Sequence, residues 1–508
     1  MTGAITQLTL FGQEDVLLSS NPQVTYFRTA FRRATPFSMD AVEQTFQGAA
    51  DFGKRASMVV SRTGDLVTEI WLQIKLPPLS NFAEPVAAQP AQPLIKYARY
   101  ASPTSATVAV VPSMALATNA AKTYTATLTP VAGSVNTTAV TATSTSLAPL
   151  LIAVPGLDPK TEYTAVVRVS DNTEPASPST DVLCLKWSNA IGHAIIESVE
   201  LEIGGSRIDF HTSDFLDILS ELTLSEERKP GFQEMIGKYD AYDPRSDVQS
   251  FDGERILFVP MQFFFCKNPG LALPILALTF HETRLNFTFR DLKQCLTSTR
   301  RPVTALQDDA GNPLSAEIKA YATYVYLDTA ERRRYSTIPH ESLISTLQYM
   351  GDAAVTINPG DAPIRKFPIQ FSHPIKELFW VYQPASNYNG DSTTLDWFGY
   401  GADDFASEMK IVFNGIDRTS SRPPEYWRLV QPFSHHTRVP NKRIYVFSFS
   451  LFPENIQPSG TANFSRIDTA QLVATLKPGT PQGRLRIYGL GYNVLRIASG
   501  LGGLAFAS

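Results

Sequence analysis

The chain predicts an all-β fold of antiparallel sandwiches, and three observations carry that prediction. Apolar and polar residues alternate along many short stretches, Gly, Pro and Asn turns separate those stretches, and helical periodicity is scarce. At 508 residues the chain exceeds what a single hydrophobic core holds, so two or three domains are expected.

The clearest strand is Val199-Glu200-Leu201-Glu202-Ile203, whose alternation suits a sheet with one wet face. Gly204-Gly205 then supplies the positive φ values of a tight hairpin before Arg207-Ile208-Asp209-Phe210. The run from Arg284 to Arg290 alternates in the same way, whereas Ile444 to Phe452 is nearly all apolar and aromatic, the pattern of a strand buried on both faces. The best helix places Phe215, Ile218, Leu219 and Leu222 at i, i+3, i+4, i+7, with Ser213 as N-cap, Asp214 in the first turn and Pro230-Gly231 as a stop. It is expected to pack across one end of a sandwich.

Composition shifts after Leu76. From Pro77 to Leu185 the chain is rich in Ala, Thr, Ser, Val and Pro, and residues 101–150 hold one charge, Lys122. Alternation from Lys122 to Leu128 and from Thr164 to Val169 argues for an inserted β-domain against a mucin-like stalk or a linker. Within it, Leu157, Pro159, Thr161 and Tyr163 resemble the L-x-P-x-T-x-Y corner of fibronectin type III modules, in which the Tyr hydroxyl bonds back to the backbone. The resemblance implies an immunoglobulin-like or fibronectin type III-like sandwich.

Lys+Arg 44 against Asp+Glu 48 gives a net charge of -4, so no chain-wide basic field exists to hold a phosphate backbone or an anionic membrane. Only 18% of residues are charged, below the ~25% of an average soluble chain, which suits a surface covered by partners. Cys184, Cys266 and Cys295 are too few and too far apart for a disulfide framework or a zinc cluster, which points to a reducing compartment. No Lys or Arg precedes the apolar residues at the start, and the most apolar stretch, Leu271 to Phe280, is short and broken by Pro274. Neither a signal peptide nor a transmembrane segment is expected.

Catalytic patterns are missing. His281-Glu282 is followed by Leu285 where a zincin helix needs its second His, and the adjacent pair His435-His436 would point to opposite faces of a strand. His193, His211, His340 and His373 stand apart, and no H-x-H spacing occurs. No nucleophile elbow or phosphate loop is present, and Gly489-Leu490-Gly491 runs into Tyr492-Asn493-Val494 instead of a third glycine. Arg332-Arg333-Arg334, next to Asp328 and Glu331, reads as a solvated inter-domain segment in preference to a phosphate site. Of the glycosylation triplets at Asn136, Asn286 and Asn463, only Asn136 falls in an expected loop. The expectation is therefore no enzyme, with catalytic, cofactor-binding and metal residues all none.

Longer motifs carry a family resemblance. Asn21 to Phe27, Phe31 to Phe37, Ser61 to Leu66, Gly192 to Gly205, Asn268 to Leu278, Tyr326 to Arg332, His435 to Pro440, Gln457 to Asp468 and Tyr492 to Phe506 resemble, in order, the major capsid proteins of nucleocytoplasmic large DNA viruses. They span nearly everything outside 77–185, and the long second-roll loop of many relatives is shortened here between Asn387 and Phe405.

The resemblance implies two consecutive eight-stranded antiparallel jelly rolls. It implies an N-terminal inner arm at 1–23, a first roll at 24–328 interrupted by the 77–185 insert, a connecting segment at 329–340 and a second roll at 341–508. It further implies homotrimeric, pseudo-hexameric capsomers of an icosahedral capsid, which touch neighbouring capsomers and minor capsid and penton proteins, with no direct nucleic-acid contact. The place would be the virion shell, assembled in the host cytoplasm. The outward insert would reach a host-surface glycan or receptor, or a neighbouring capsomer. The rival class is a carbohydrate-binding or glycan-cleaving sandwich, which would need two carboxylates facing across a cleft.

Overall fold

The computed structural model describes residues 5, 9–10, 20–29, 31–79, 187–238, 254–298, 306–307, 311–356, 363–390 and 395–506, and between 94 and 186 the backbone of the strands alone. Strands dominate it. The first part of the chain holds Phe37–Gln44 (β1), Phe46–Gln47 (β2), Arg55–Val59 (β3) and Leu66–Leu76 (β4). Then come Leu94–Ser102 (β5), Ser105–Val111 (β6), Lys122–Pro130 (β7), Val140–Ser146 (β8), Leu150–Pro155 (β9), Tyr163–Ser170 (β10) and Thr180–Asp181 (β11). Leu185–Trp187 (β12), Ile196–Ile203 (β13), Ser206–Thr212 (β14), Arg255–Pro260 (β15), Thr283–Phe289 (β16), Leu296–Ser298 (β17) and Glu317–Leu327 (β18) complete this half. The rest comprises His340–Val355 (β19), Ile364–Ile369 (β20), Pro374–Pro384 (β21), Ala406–Phe413 (β22), Ile416–Asp417 (β23), Ile444–Ser448 (β24), Ala462–Asn463 (β25), Ala470–Leu476 (β26), Gly483–Ala498 (β27) and Leu501–Leu504 (β28).

Pairing divides these strands into two rolls of one topology. The first roll has sheets β1-β18-β4-β15 and β14-β13-β16-β3-β2, and the second has β19-β27-β21-β24 and β23-β22-β26-β20. In both, one sheet sets the roll's first strand beside its last and completes itself with two strands from the middle of the roll, β4 and β15 in the first and β21 and β24 in the second, the order of a jelly roll. Alternation builds the first core. β4 turns Ile70, Leu72, Ile74 and Leu76 inward and leaves Glu69, Trp71, Gln73 and Lys75 half-exposed on the other face. Each inward side chain contributes roughly 1.5–3 kcal/mol by leaving water.

The expected hairpin joins β13 to β14, with Ile203 opposite Ser206 and Gly204 and Gly205 at φ 58° and 79°. β16 alternates as its sequence requires. The apolar run at Ile444 is a strand only to Ser448, and Leu451 and Phe452 beyond it are exposed.

Three helical expectations need correcting. Helix α1, Ser213–Thr223, is capped by Thr212, whose hydroxyl accepts the Phe215 N–H, and not by Ser213. Pro230 does not stop a helix but lies in the first turn of α2, Lys229–Ile236, where its missing N–H costs nothing, and Gly237 at φ 68° ends that helix. α1 lies between the two rolls and not across one end of a sandwich. A third helix, α3, Thr329–Thr337, connects the rolls.

Between β4 and β12 the backbone forms two further sheets, β5-β6-β9 and β11-β10-β7-β8. Leu157, Pro159, Thr161 and the side chain of Tyr163 lie outside the described residues.

Candidate assembly site at the junction of the two rolls

The junction is built around α1. Its apolar stripe, Phe215, Ile218, Leu219 and Leu222, packs onto the outer face of the second roll's larger sheet, against Phe379 and Val381 of β21, Ile444 and Val446 of β24, and Tyr488 and Leu490 of β27. Nine consecutive residues of β21 are buried as a result, because the second roll's own core covers one face and α1 the other.

Beside this stripe α1 carries three buried carboxylates, Asp214, Asp217 and Glu221. Spacings of three and four residues stack them along the helix toward the second roll. Asp214 pairs with Arg486, and Glu221 with Arg438 and Lys238. Asp217 is held by Lys442 at 2.6 Å and Lys238 at 3.5 Å, and accepts the Tyr400 hydroxyl at 3.2 Å. Burial alone would raise the Asp217 carboxyl, but Lys442 and Lys238 outweigh it and hold the group at about 2. Such pairs bring little net stability over an apolar contact, yet removing one partner strands a buried charge, so they fix how the rolls register.

Three further contacts tie the rolls together. The loop between β21 and β22 sends Leu395, Trp397 and Phe398 into the first roll's core. The Arg290 guanidinium lies 3.7 Å from the Trp397 ring centre, and the indole N–H donates to the Gln294 carbonyl at 2.7 Å. At the other end, the β27–β28 hairpin reaches the first roll, where Gly502 N–H donates to His281 Nδ1 at 3.1 Å and Phe280 N–H to the Gly500 carbonyl at 3.0 Å. Leu347 N–H of β19 also donates to Asp209 of β14 at 2.9 Å.

The histidines serve packing and pairing. His193 is buried against Phe232 and Phe398, and burial first, with Lys238 and Lys442 adding, lowers its pKa to about 4 despite Asp217. His211 meets Asp209 at 3.0 Å, and His340 bonds the Tyr335 carbonyl at 2.8 Å. His373 takes the left-handed conformation at φ 65°. His435 ends a helix, and His436 is buried between Glu377 at 3.3 Å and Glu454 at 3.0 Å on opposite ring nitrogens, so the pair does not converge. Among the described residues no group of three His, Cys, Asp or Glu could hold a metal.

Arg332 to Arg334 lie on α3, where Arg332 reaches Asp65 at 3.0 Å. Asn286 lies within β16, and Asn463 caps a short turn by accepting the Ser465 N–H at 3.1 Å. Asn136 and Cys184 fall outside the described residues. Cys266 and Cys295 are free thiols that burial pushes up to about 12. Gly489 and Gly491 lie inside β27, where a Cβ would strike Phe371 and the Pro374 carbonyl, so they serve close packing.

The α1 carboxylates went unread in the sequence. Asp214, Asp217 and Glu221 look like the wet face of an amphipathic helix, and Arg438, Lys442 and Arg486 stand more than two hundred residues away along the chain.

Comparison with known proteins agrees with this architecture. A family model for the large eukaryotic DNA virus major capsid protein matches residues 331–503, and one for the major capsid protein N-terminus matches 25–102 and 164–328. The chain is 32% identical to the major capsid protein of Pyramimonas orientalis virus and 29% identical to that of Phaeocystis pouchetii virus, with all of both chains covered in each case. A quasi-atomic model of the PBCV-1 virus capsid matches at TM-score 0.64 and 25% identity, over 95% of this chain and all of that one. The Faustovirus major capsid protein shares the fold at TM-score 0.62 and 12% identity, over 97% of this chain and 96% of that one. With two jelly rolls in sequence and relatives matched from end to end, the chain belongs to the major capsid proteins of the large eukaryotic DNA viruses.

Proposed function

We propose that three copies of this chain form a pseudo-hexameric capsomer that tiles an icosahedral shell. The observation that carries the reading is the repeat of one strand order in two rolls of one chain, which gives six similar lobes when three chains close a ring. Its work is burial of interface and not catalysis. Residues 24–328 and 341–508 form the rolls, 329–340 connect them, and 1–23 lie on the inner side with minor capsid and penton proteins. Assembly takes place in the host cytoplasm.

Residues 77–185 form a separate sandwich on the outer surface, a candidate for binding a host-surface glycan or receptor or a neighbouring capsomer. Two sheets between β4 and β12, and a family match that skips 103–163, support a separate unit. Light scattering of the purified chain tests the trimer, with the mass of three chains expected. Excision of 77–185 should leave that mass unchanged, and a shortened chain that cannot fold would place the insert inside the capsid core.

A further inference from the structure

Two segments leave the first roll at one end of its sheet. β1 and β18 run antiparallel with Phe37 opposite Leu327, so the chain before Phe37 and the helix α3 that follows Leu327 emerge side by side. β4 starts at the same end, with Leu66 opposite Val325, and runs to Leu76, where the insert begins, about 35 Å away at ~3.3 Å per residue. The two emerging segments and the insert therefore lie at opposite ends of the roll.

Both segments are exposed and basic. Every described residue from 20 to 41 is exposed, and no Asp or Glu occurs between Asp15 and Asp40, whereas Arg28, Arg32 and Arg33 do. Tyr26, Phe27 and Phe31 stand among these arginines and Phe37 follows them, with Phe27 100% and Phe31 89% exposed. None of the residues of α3 is buried, and of its three arginines Arg332 alone is engaged, with Asp65. Among the described residues Arg333 and Arg334, like the three arginines of the arm, form no ion pair. The whole chain carries a net charge of -4, so this excess of cations is local.

We infer that this end of the first roll binds an anionic lipid surface, with the arginines among the phosphates and the rings at head-group level. Cations near such a surface are drawn to it, and aromatic side chains settle at the boundary between head groups and hydrocarbon. A bilayer asks only for depth. It suits rings and guanidinium groups carried on an arm with nothing packed beneath them. Single-stranded nucleic acid also pairs arginine with aromatic residues, but it stacks its bases on rings fixed along a groove, and the exposed arm fixes none. The surface faces away from the insert, so the outward insert proposed above turns it toward the interior of the shell. That placement rests on the capsomer reading, and the binding itself does not.

Flotation of the full chain with phosphatidylcholine vesicles, with and without phosphatidylserine, tests the inference. The chain should float with the phosphatidylserine vesicles and not with phosphatidylcholine alone, and added salt should release it. Arg28→Gln, Arg32→Gln and Arg33→Gln combined should weaken binding on the order of a hundredfold, at about fivefold per arginine, and Arg333→Gln with Arg334→Gln roughly twenty-fivefold. Arg28→Lys, Arg32→Lys and Arg33→Lys keep the charge and should retain most of the binding. Phe27→Ser with Phe31→Ser should weaken it and leave its salt dependence in place. All these positions are exposed, so far-UV circular dichroism should not change. Equal binding to both kinds of vesicle, or glutamine variants that bind as the wild type does, overturns the lipid surface. So does tighter binding to a single-stranded oligonucleotide that the same variants lose, which would make this end a nucleic-acid surface instead. A three-chain mass in light scattering with no vesicle binding overturns it and leaves the capsomer standing.

Discussion

The two rolls share a strand order but not a surrounding. In the first, β4 alternates between buried and half-exposed residues, as in a sheet with a core on one side. In the second, β21 is buried almost without interruption, because α1 lies over the face that β4 leaves open. Their sequences record the difference, since Glu69, Gln73 and Lys75 of β4 face outward where β21 has the continuous Leu378-Phe379-Trp380-Val381-Tyr382. Hydrophobic period therefore reports how many faces of a strand are covered, and not which molecule covers them.

The sharpest way to break the asymmetry is at α1. Asp217→Ala would leave Lys442 buried without its ion-pair partner and Lys238 with Glu221 alone, and should cost about 3–5 kcal/mol in chemical denaturation. Phe215→Ala, which empties the apolar half of the same contact, should cost a similar ~3–5 kcal/mol. Phe433→Ala, on the helical segment 426–435 that follows β23 as α1 follows β14, should change single-chain stability by no more than ~0.5 kcal/mol. Equal losses at Phe215 and Phe433 would mean that the two helices are not differently covered.

Much of this was legible locally. The Gly204-Gly205 hairpin, the alternation of β16 and the double burial of β24 follow from residue types and spacing. What covers the second face of β24 did not, because α1 is separated from it by more than two hundred residues. The N-cap moved by one residue because Thr212 and Ser213 both carry a hydroxyl, and only backbone geometry decides which one accepts the Phe215 N–H. The junction carboxylates were missed for the same reason of distance, since burial of a charge is set by partners that no local window contains.

Acid should act on this junction next. His193 is neutral in the folded chain, with a pKa of about 4 against 6.5 when exposed. Between these values the unfolded chain takes up a proton that the folded one refuses, so stability is complete above pH 6.5 and falls by on the order of 3 kcal/mol as the pH drops to 4. Asp217, depressed from 3.8 to about 2, contributes above 3.8 and loses a further ~2 kcal/mol as the pH falls toward 2. Urea midpoints across this range should show both losses, and His193→Phe should flatten the upper one. A slope unchanged in that variant would assign it to other groups.

A smaller effect than that of acid lies in the two equivalent turns, which sharpen the comparison most finely. The first roll uses Gly204-Gly205 and the second Asn414-Gly415, at φ 49° and 80°, so the same hairpin geometry accepts Asn in one roll and not in the other. The reason is the second roll's C-terminal hairpin, which holds His281 over the first turn through Gly502; a Cβ at Gly204 would lie 2.2 Å from His281 Nδ1. Gly204→Asn should therefore cost ~1–3 kcal/mol through forced movement of that ring and the hairpin behind it. Asn414→Gly loses only the bond from Thr469 N–H to the Asn414 side chain at 2.9 Å, about 1 kcal/mol. Adding His281→Ala to Gly204→Asn should recover most of the loss, because it removes the obstacle and leaves the backbone conformation that Asn tolerates. If the double variant is no more stable than Gly204→Asn alone, the strain lies in the turn and the junction does not reach it.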